Sequence, residues 1–215
     1  LHFSSPAEFE SITSEQLETA LEQVSFKKFA SKKISCISNI AKTSFGITFA
    51  LQSLTLQLKL LIKQINFIEQ QVHDVEIQIK QLLHKINTPI TTIPGIGDII
   101  GATILGEIGD IERFSNPSKL VAYAGIDASV HQSGDYISTN NKMSKRGSPY
   151  LRTALFRAAL IASVHDPVFK AYYQKKRSEG KHHLTCLGAV ARKLCYTIHA
   201  ILKNNCEYKV QLPTK

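Results

Sequence analysis

The 215-residue chain is poor in several features that would each point to a particular kind of protein. No uncharged apolar run approaches the roughly twenty residues that a membrane-spanning helix requires, so no membrane segment is expected. Residues 1–9 lack the basic-then-apolar layout of a signal peptide. Methionine occurs once, at Met143, and none opens the chain, which is expected of the remainder of a longer protein. The four cysteines, Cys36, Cys186, Cys195 and Cys206, form no CxxC pair. Reduced thiols in a cytoplasmic protein are therefore expected, rather than a disulfide framework or a zinc site. The first fifty residues carry scattered glutamates and no aspartate, which reads as helix surface rather than a divalent-metal cluster.

Apolar residues make up 43% of the chain and charged residues 20%, enough to build one or two small domains and to exclude a wholly disordered tail. The net charge of +9 is unevenly placed. Residues 142–215 hold fifteen Lys and Arg against Asp166, Glu179 and Glu207, so they carry +12, and residues 1–141 carry −3. A basic final third on a near-neutral remainder suggests a polyanionic partner; a solvated basic face is the plainer alternative.

The periodicity predicts a mainly α protein. Residues 14–24 read as a short amphipathic helix with Leu17, Ala20 and Leu21 on one face. From Leu51 to Ile86, apolar residues recur in steps of three and four: Leu51, Leu54, Leu58, Leu61, Ile65, Ile68, Val72, Val75, Ile79, Leu82 and Ile86. That is a heptad seam, and a seam this long needs a partner: a second copy of the chain is expected, with an antiparallel helix of the same chain as the alternative. Pro89 should end the helix, because proline disfavours the α conformation of the residue before it.

Ile93-Pro94-Gly95-Ile96-Gly97 then stands between two apolar runs. It reads either as a helix-hairpin-helix turn, whose glycines let backbone N–H groups approach a DNA phosphate, or as a tight turn with only a structural role. Asn116-Pro117, Ser148-Pro149 and Asp166-Pro167 each read as a cap followed by the first helical position. Between them, residues 126–138 suggest two short strands around Ser133-Gly134. Leu151, Ala154, Leu155, Ala158, Ala159 and Ile161 should form one buried stripe, and Leu187, Val190, Leu194, Ile198 and Ile201 another.

Taken in order, IPGIG, the GDIERF helix end, LVAYAGI, HQSG, MSKRGSPYLRTAL and GAVARKL resemble the C-terminal part of the bacterial insertion-sequence transposases known as bridge-RNA-guided serine recombinases. The resemblance runs from about residue 51 to residue 208 and implies four segments. These are a helical linker remnant (1–50), a coiled-coil helix (51–88), a helical transposase domain with a helix-hairpin-helix-like turn and a small β-hairpin (89–208), and a tail (209–215). It implies DNA as partner, guide RNA as a second partner, and Ser133 as the nucleophile that attacks a phosphodiester. Lys145, Arg146 and Arg152 are the local cations suited to offset phosphoryl charge, and Lys142 joins them in the expected DNA-binding set. Gly95 and Gly97, with Lys175, Lys176 and Arg177, complete the expected DNA-binding set. Ser144 reads as orienting a loop or phosphate, and Ser148 as a helix cap. His131 could serve as a base.

The resemblance also implies an acidic, Mg2+-binding RNase H-like domain that these residues do not supply. No cofactor is therefore expected in this chain, and Mg2+ only with that domain. A chain without the domain is expected to be inactive by itself. The alternative is a decayed transposase, a non-catalytic helix-hairpin-helix protein that binds nucleic acid and dimerises through its coiled coil.

Overall fold

The computed structural model describes residues 6–24, 27–44, 49–128, 132–133, 136–137 and 142–210. They divide into two units, Leu1–His73 and Asp74–Lys215, whose boundary falls within one long helix.

In the first unit, α1 (Pro6–Ser11) and α2 (Ser14–Val24) both pack on α3 (Lys27–Thr43). Thr13 and Gln16 start α2 as a capping box: the Gln16 amide donates to Thr13 Oγ1 (3.4 Å) and the Thr13 amide to Gln16 Oε1 (3.3 Å). Leu17, on the face read as apolar, is buried.

The long helix α4 (Leu51–Ile86) covers 36 residues, as the heptad pattern predicts. Its seam lies open: Leu54, Leu58, Leu61, Ile65, Ile68, Val72 and Val75 are 41–56% exposed. Near its C-terminus the helix buries Leu83, one position beyond the expected Leu82, and Lys80 on the same face pairs with Asp98 at 3.7 Å. Asn87, in the left-handed region at φ 49°, ends α4 just before Pro89.

The second unit continues with a single 3-10 turn, Pro89–Thr92, capped by Thr88. Through the glycine turn it leads to α5 (Asp98–Ile108). The apolar run before the glycines is thus one 3-10 turn and not a full helix. Ile90, Ile93 and Ile96 are buried around it.

A further 3-10 turn, Ile111–Arg113, precedes α6 (Pro117–Tyr123), which the Asn116 side chain caps by accepting from the Lys119 amide at 3.1 Å. Two residues each of β1 (Gln132–Ser133) and β2 (Tyr136–Ile137) pair antiparallel, Gln132 with Ile137 and Ser133 with Tyr136. The rest of the unit is helical: α7 (Pro149–His165), α8 (Pro167–Ser178) and α9 (His183–Asn204).

The core of this unit lies around α7 and α9. α7 packs against α5, α8 and α9, and α9 also against α6 and α8. Leu151, Ala154, Leu155, Ala158 and Ala159 are buried as their spacing predicts, and so are all five expected positions of α9. Ile161 is a correction. It is 45% exposed, and the stripe continues through Ala162 and Ser163, because a helical face advances by three and four residues from Ala158 and Ala159. The alanines of α7 bring neighbouring backbones close, and each such burial removes apolar surface from water.

The three buried polar residues among the described residues are all bonded. Ser163 donates to the Leu160 carbonyl (2.7 Å), and His199 Nε2 bonds the Phe114 carbonyl (2.8 Å). Asp166 Oδ1 accepts from the amides of Val168 and Phe169, both at 2.8 Å, which caps α8. After α9 the chain turns back. Tyr208 donates its hydroxyl to Asp166 Oδ2 (2.8 Å) and its amide to Thr92 Oγ1 (2.9 Å), and its ring stacks on Phe169. Burial, with the neighbouring Asp166 carboxylate, holds the Tyr208 phenol above its ordinary pKa.

Candidate nucleic-acid interface

The segment carrying Ser133 is anchored on both sides by the chain around it. Gly125 (φ 65°) and Gly147 lie backbone to backbone; a Cβ at Gly125 would sit 2.7 Å from the Gly147 amide nitrogen. This close crossing is why the AGI and KRG sequences need glycine at these points. The Ser148 amide donates to the Tyr123 carbonyl (2.8 Å), the Lys145 amide to that of Gly125 (3.0 Å), and the Ser144 amide to that of Asp127 (2.9 Å). Ala128 and Met143 form an antiparallel bridge one step further out. The Ser144 hydroxyl donates to Asp127 Oδ1, so it ties the two sides of the segment together. That is the loop-orienting role its position suggests.

Ser148 accepts from the Leu151 amide (3.1 Å) as the cap of α7 and donates to Glu107 Oε2 (2.6 Å). Ser133 itself lies in β1, opposite Tyr136. His131, Gly134 and the turn between the strands fall outside the described residues.

Beside Ala128 and Met143 opens a cleft of about 1,100 Å³ between this segment, α7, α8 and α9. Its lining includes Lys142, Lys145, Arg152 and Lys176 from the expected set and, among the described residues, no acidic side chain. Lys145 holds a left-handed backbone at φ 53°, uncommon for a side chain of its size. Arg152 donates to the Ala124 carbonyl (3.2 Å), so part of its donor capacity holds the fold. Lys176 lies at 2.9 Å from Glu179, outside the lining, and Lys181 at 2.8 Å from the same carboxylate. Hydrogen bonds from these two ammonium groups pull Glu179 down to about 2, while Glu179 raises Lys176.

The structure also separates residues that the sequence grouped together. Arg146 is exposed and outside the cleft lining, as are Lys175 and Arg177; Arg177 donates instead to the Lys181 carbonyl (2.6 Å). Gly95, at φ 91°, faces α7, where a Cβ would lie 2.5 Å from the Ala158 carbonyl oxygen; close helix packing accounts for this glycine. Gly97 is exposed and precedes α5, but Asp98 places a carboxylate in the first helical turn, where a phosphate would be repelled.

Three cations of the cleft escaped the sequence reading: Arg157, Lys181 and Arg192. Arg192 donates to the Ile126 carbonyl (2.9 Å), so it joins α9 to the base of the Ser133 segment. Its signal was the GAVARKL run, where a charge interrupts an otherwise apolar helical face. Among the described residues, no three His, Cys, Asp or Glu side chains gather as a metal-binding set, and no helix is long and apolar enough to cross a membrane.

Residues 87–174, which hold the glycine turn, the Ser133 segment and α7, match the transposase family IS116/IS110/IS902. Related proteins extend the similarity over more of the chain. The 43.6 kDa protein of insertion element IS110 from Streptomyces coelicolor is 30% identical over 138 residues, 63% of this chain and 34% of its own length. The 42 kDa protein of insertion element IS900 from Mycobacterium paratuberculosis is 33% identical over 126 residues, 58% of this chain and 31% of its own. A pilin gene-inverting protein of Moraxella bovis is 32% identical over 126 residues, 58% of this chain and 39% of its own. The chain thus spans about a third of the length of the curated relatives it matches.

Proposed function

We propose that this chain is the DNA-handling part of a transposase or site-specific recombinase, and that Ser133 is its nucleophile. The supporting observation is the basic cleft at the base of the Ser133 segment, whose described lining holds no acid and falls partly within the residues that match the transposase family. The relatives named for insertion elements and for pilin gene inversion support the same class of reaction.

In this reading the cations of the cleft hold backbone phosphates and offset the charge that builds on the phosphoryl oxygens. Ser133 Oγ forms a bond to phosphorus as the bond to one deoxyribose oxygen breaks, and the serine proton passes to the departing oxygen. Attack by the hydroxyl of another strand re-forms a phosphodiester and returns the proton to serine. The energy of the broken bond is thus conserved between the two steps.

A guide RNA is the second partner in this reading. The exposed seam of α4 pairs with that of a second copy, so the chain works as a homo-oligomer. Mg2+ belongs to an acidic RNase H-like domain outside these residues. Among the described residues, Asp127 and Glu107 are bonded to Ser144 and Ser148 and no metal-binding set gathers, so these residues do not fit a metal site and no step is assigned to one.

The test is a Ser133→Ala variant in a protein that also carries an RNase H-like domain, incubated with guide RNA and target DNA. Folding and nucleic-acid binding should survive, and strand exchange and the covalent protein–DNA adduct should be lost. Recombination by Ser133→Ala would overturn the assignment.

A further inference from the structure

A second groove, of about 1,180 Å³, lies between α8, α9 and the returning C-terminal segment. It meets the basic cleft at Tyr172, Ala189 and Arg192, which line both. From this continuity we infer that a single strand of nucleic acid with unpaired bases passes from the basic cleft across Tyr172 into the α8–α9 groove. The inference rests on the nucleic-acid reading above and adds the form of the ligand and its path.

The chemistry along the path alternates between ring and cation. Lys193 Nζ lies 5.0 Å from the centre of the Tyr172 ring, and Lys176 Nζ 5.6 Å from it. Further along, Tyr196 is 45% exposed while its hydroxyl bonds Ser118 Oγ (2.9 Å), so the ring stays open and is held in place. Lys209 continues the positive charge against Glu207, the one acid among the described lining residues.

Base faces stack on aromatic rings and phosphates seek cations; a groove that interleaves both suits a strand whose bases are free. A duplex keeps its base faces inside the stack and could present only phosphates here. A second copy of this groove would bring Arg192 and Lys193 against their own counterparts and would be repelled.

The chain contains no tryptophan, so a single introduced one is an unambiguous reporter. Tyr172→Trp and, separately, Tyr196→Trp would be titrated with a twelve-nucleotide oligo(dT), with oligo(U) of equal length, and with the oligo(dT)–oligo(dA) duplex. Single strands should quench either reporter at least two-fold and saturably, and the duplex should leave the Tyr196→Trp reporter, which lies outside the basic cleft, nearly unchanged. The tighter of the two single strands identifies the natural ligand as DNA or RNA. Tyr196→Ala, at a position that lines only the α8–α9 groove, should weaken single-strand binding by roughly ten-fold, in line with loss of one stacked base, and leave duplex binding unaltered. Saturable binding without quenching at either position would overturn the inference and leave the nucleic-acid reading intact. Quenching that rises with protein concentration alone would overturn it in favour of a second copy. Absence of binding by every oligonucleotide would overturn both.

Discussion

A Cβ on Gly147 would overlap the Tyr123 carbonyl, which belongs to the backbone and cannot turn aside. Gly147→Ala should therefore lower stability by more than about 2 kcal/mol, read as a fall in the thermal midpoint. The thiols give a second check. Cys36 and Cys206 are exposed and Cys186 and Cys195 buried, and burial pushes Cys195 up to about 12. A thiol reagent on the native protein should modify two cysteines, and all four only after unfolding. The serines separate function from structure. Ser144→Ala removes one side-chain bond while the Ser144 amide still donates to Asp127, and Ser148→Ala loses a cap worth about 1 kcal/mol. Both should retain measurable recombination where Ser133→Ala has none. Loss in Ser144→Ala with activity in Ser133→Ala would move the nucleophile to Ser144.

Helices were the readable elements, because their signals are local. Asn116, Ser148 and Asp166 each cap a helix before a proline, and α4 keeps its expected range because its apolar residues hold one period throughout. The apolar run before Pro94 is too short for a helix, since the four residues Pro89–Thr92 satisfy only a 3-10 turn. Ile161 misled because an apolar residue beside a buried stripe reads like part of it. For α4 the expectation is association through the open seam. A charge at its centre, as in Leu61→Asp or Ile68→Asp, should lower both the oligomeric state and the thermal midpoint, as sedimentation and calorimetry would show. A monomeric parent chain would refute self-association.

The charge asymmetry of the chain was visible in the sequence, but its division among faces was not. Which cations converge depends on how α7, α8 and α9 cross, and no local pattern records that. Lys175, Lys176 and Arg177 are consecutive, yet only Lys176 lines the cleft, while Arg157 and Arg192 meet from helices far apart in sequence. Duplex-binding measurements across a salt series should therefore distinguish two variants. Lys142→Ala, Lys145→Ala and Arg157→Ala together should reduce the slope of log affinity against log salt by up to about 3. Lys175→Ala with Arg177→Ala should change it by less than about 1. Equal slopes would show that the cleft is not where phosphates are held.

The bond from the Tyr208 amide to Thr92 has a bearing on how this stretch of protein can be carried between genes. It brings the exit of the second unit beside the entrance to its glycine turn. A module whose two ends already touch can be spliced into a host polypeptide, or re-cut at a new starting point, with little entropy lost in closing it. Joining position 209 to position 89 through a short linker and opening the chain elsewhere should thus give a circular permutant that keeps its helical content and its cooperative melting.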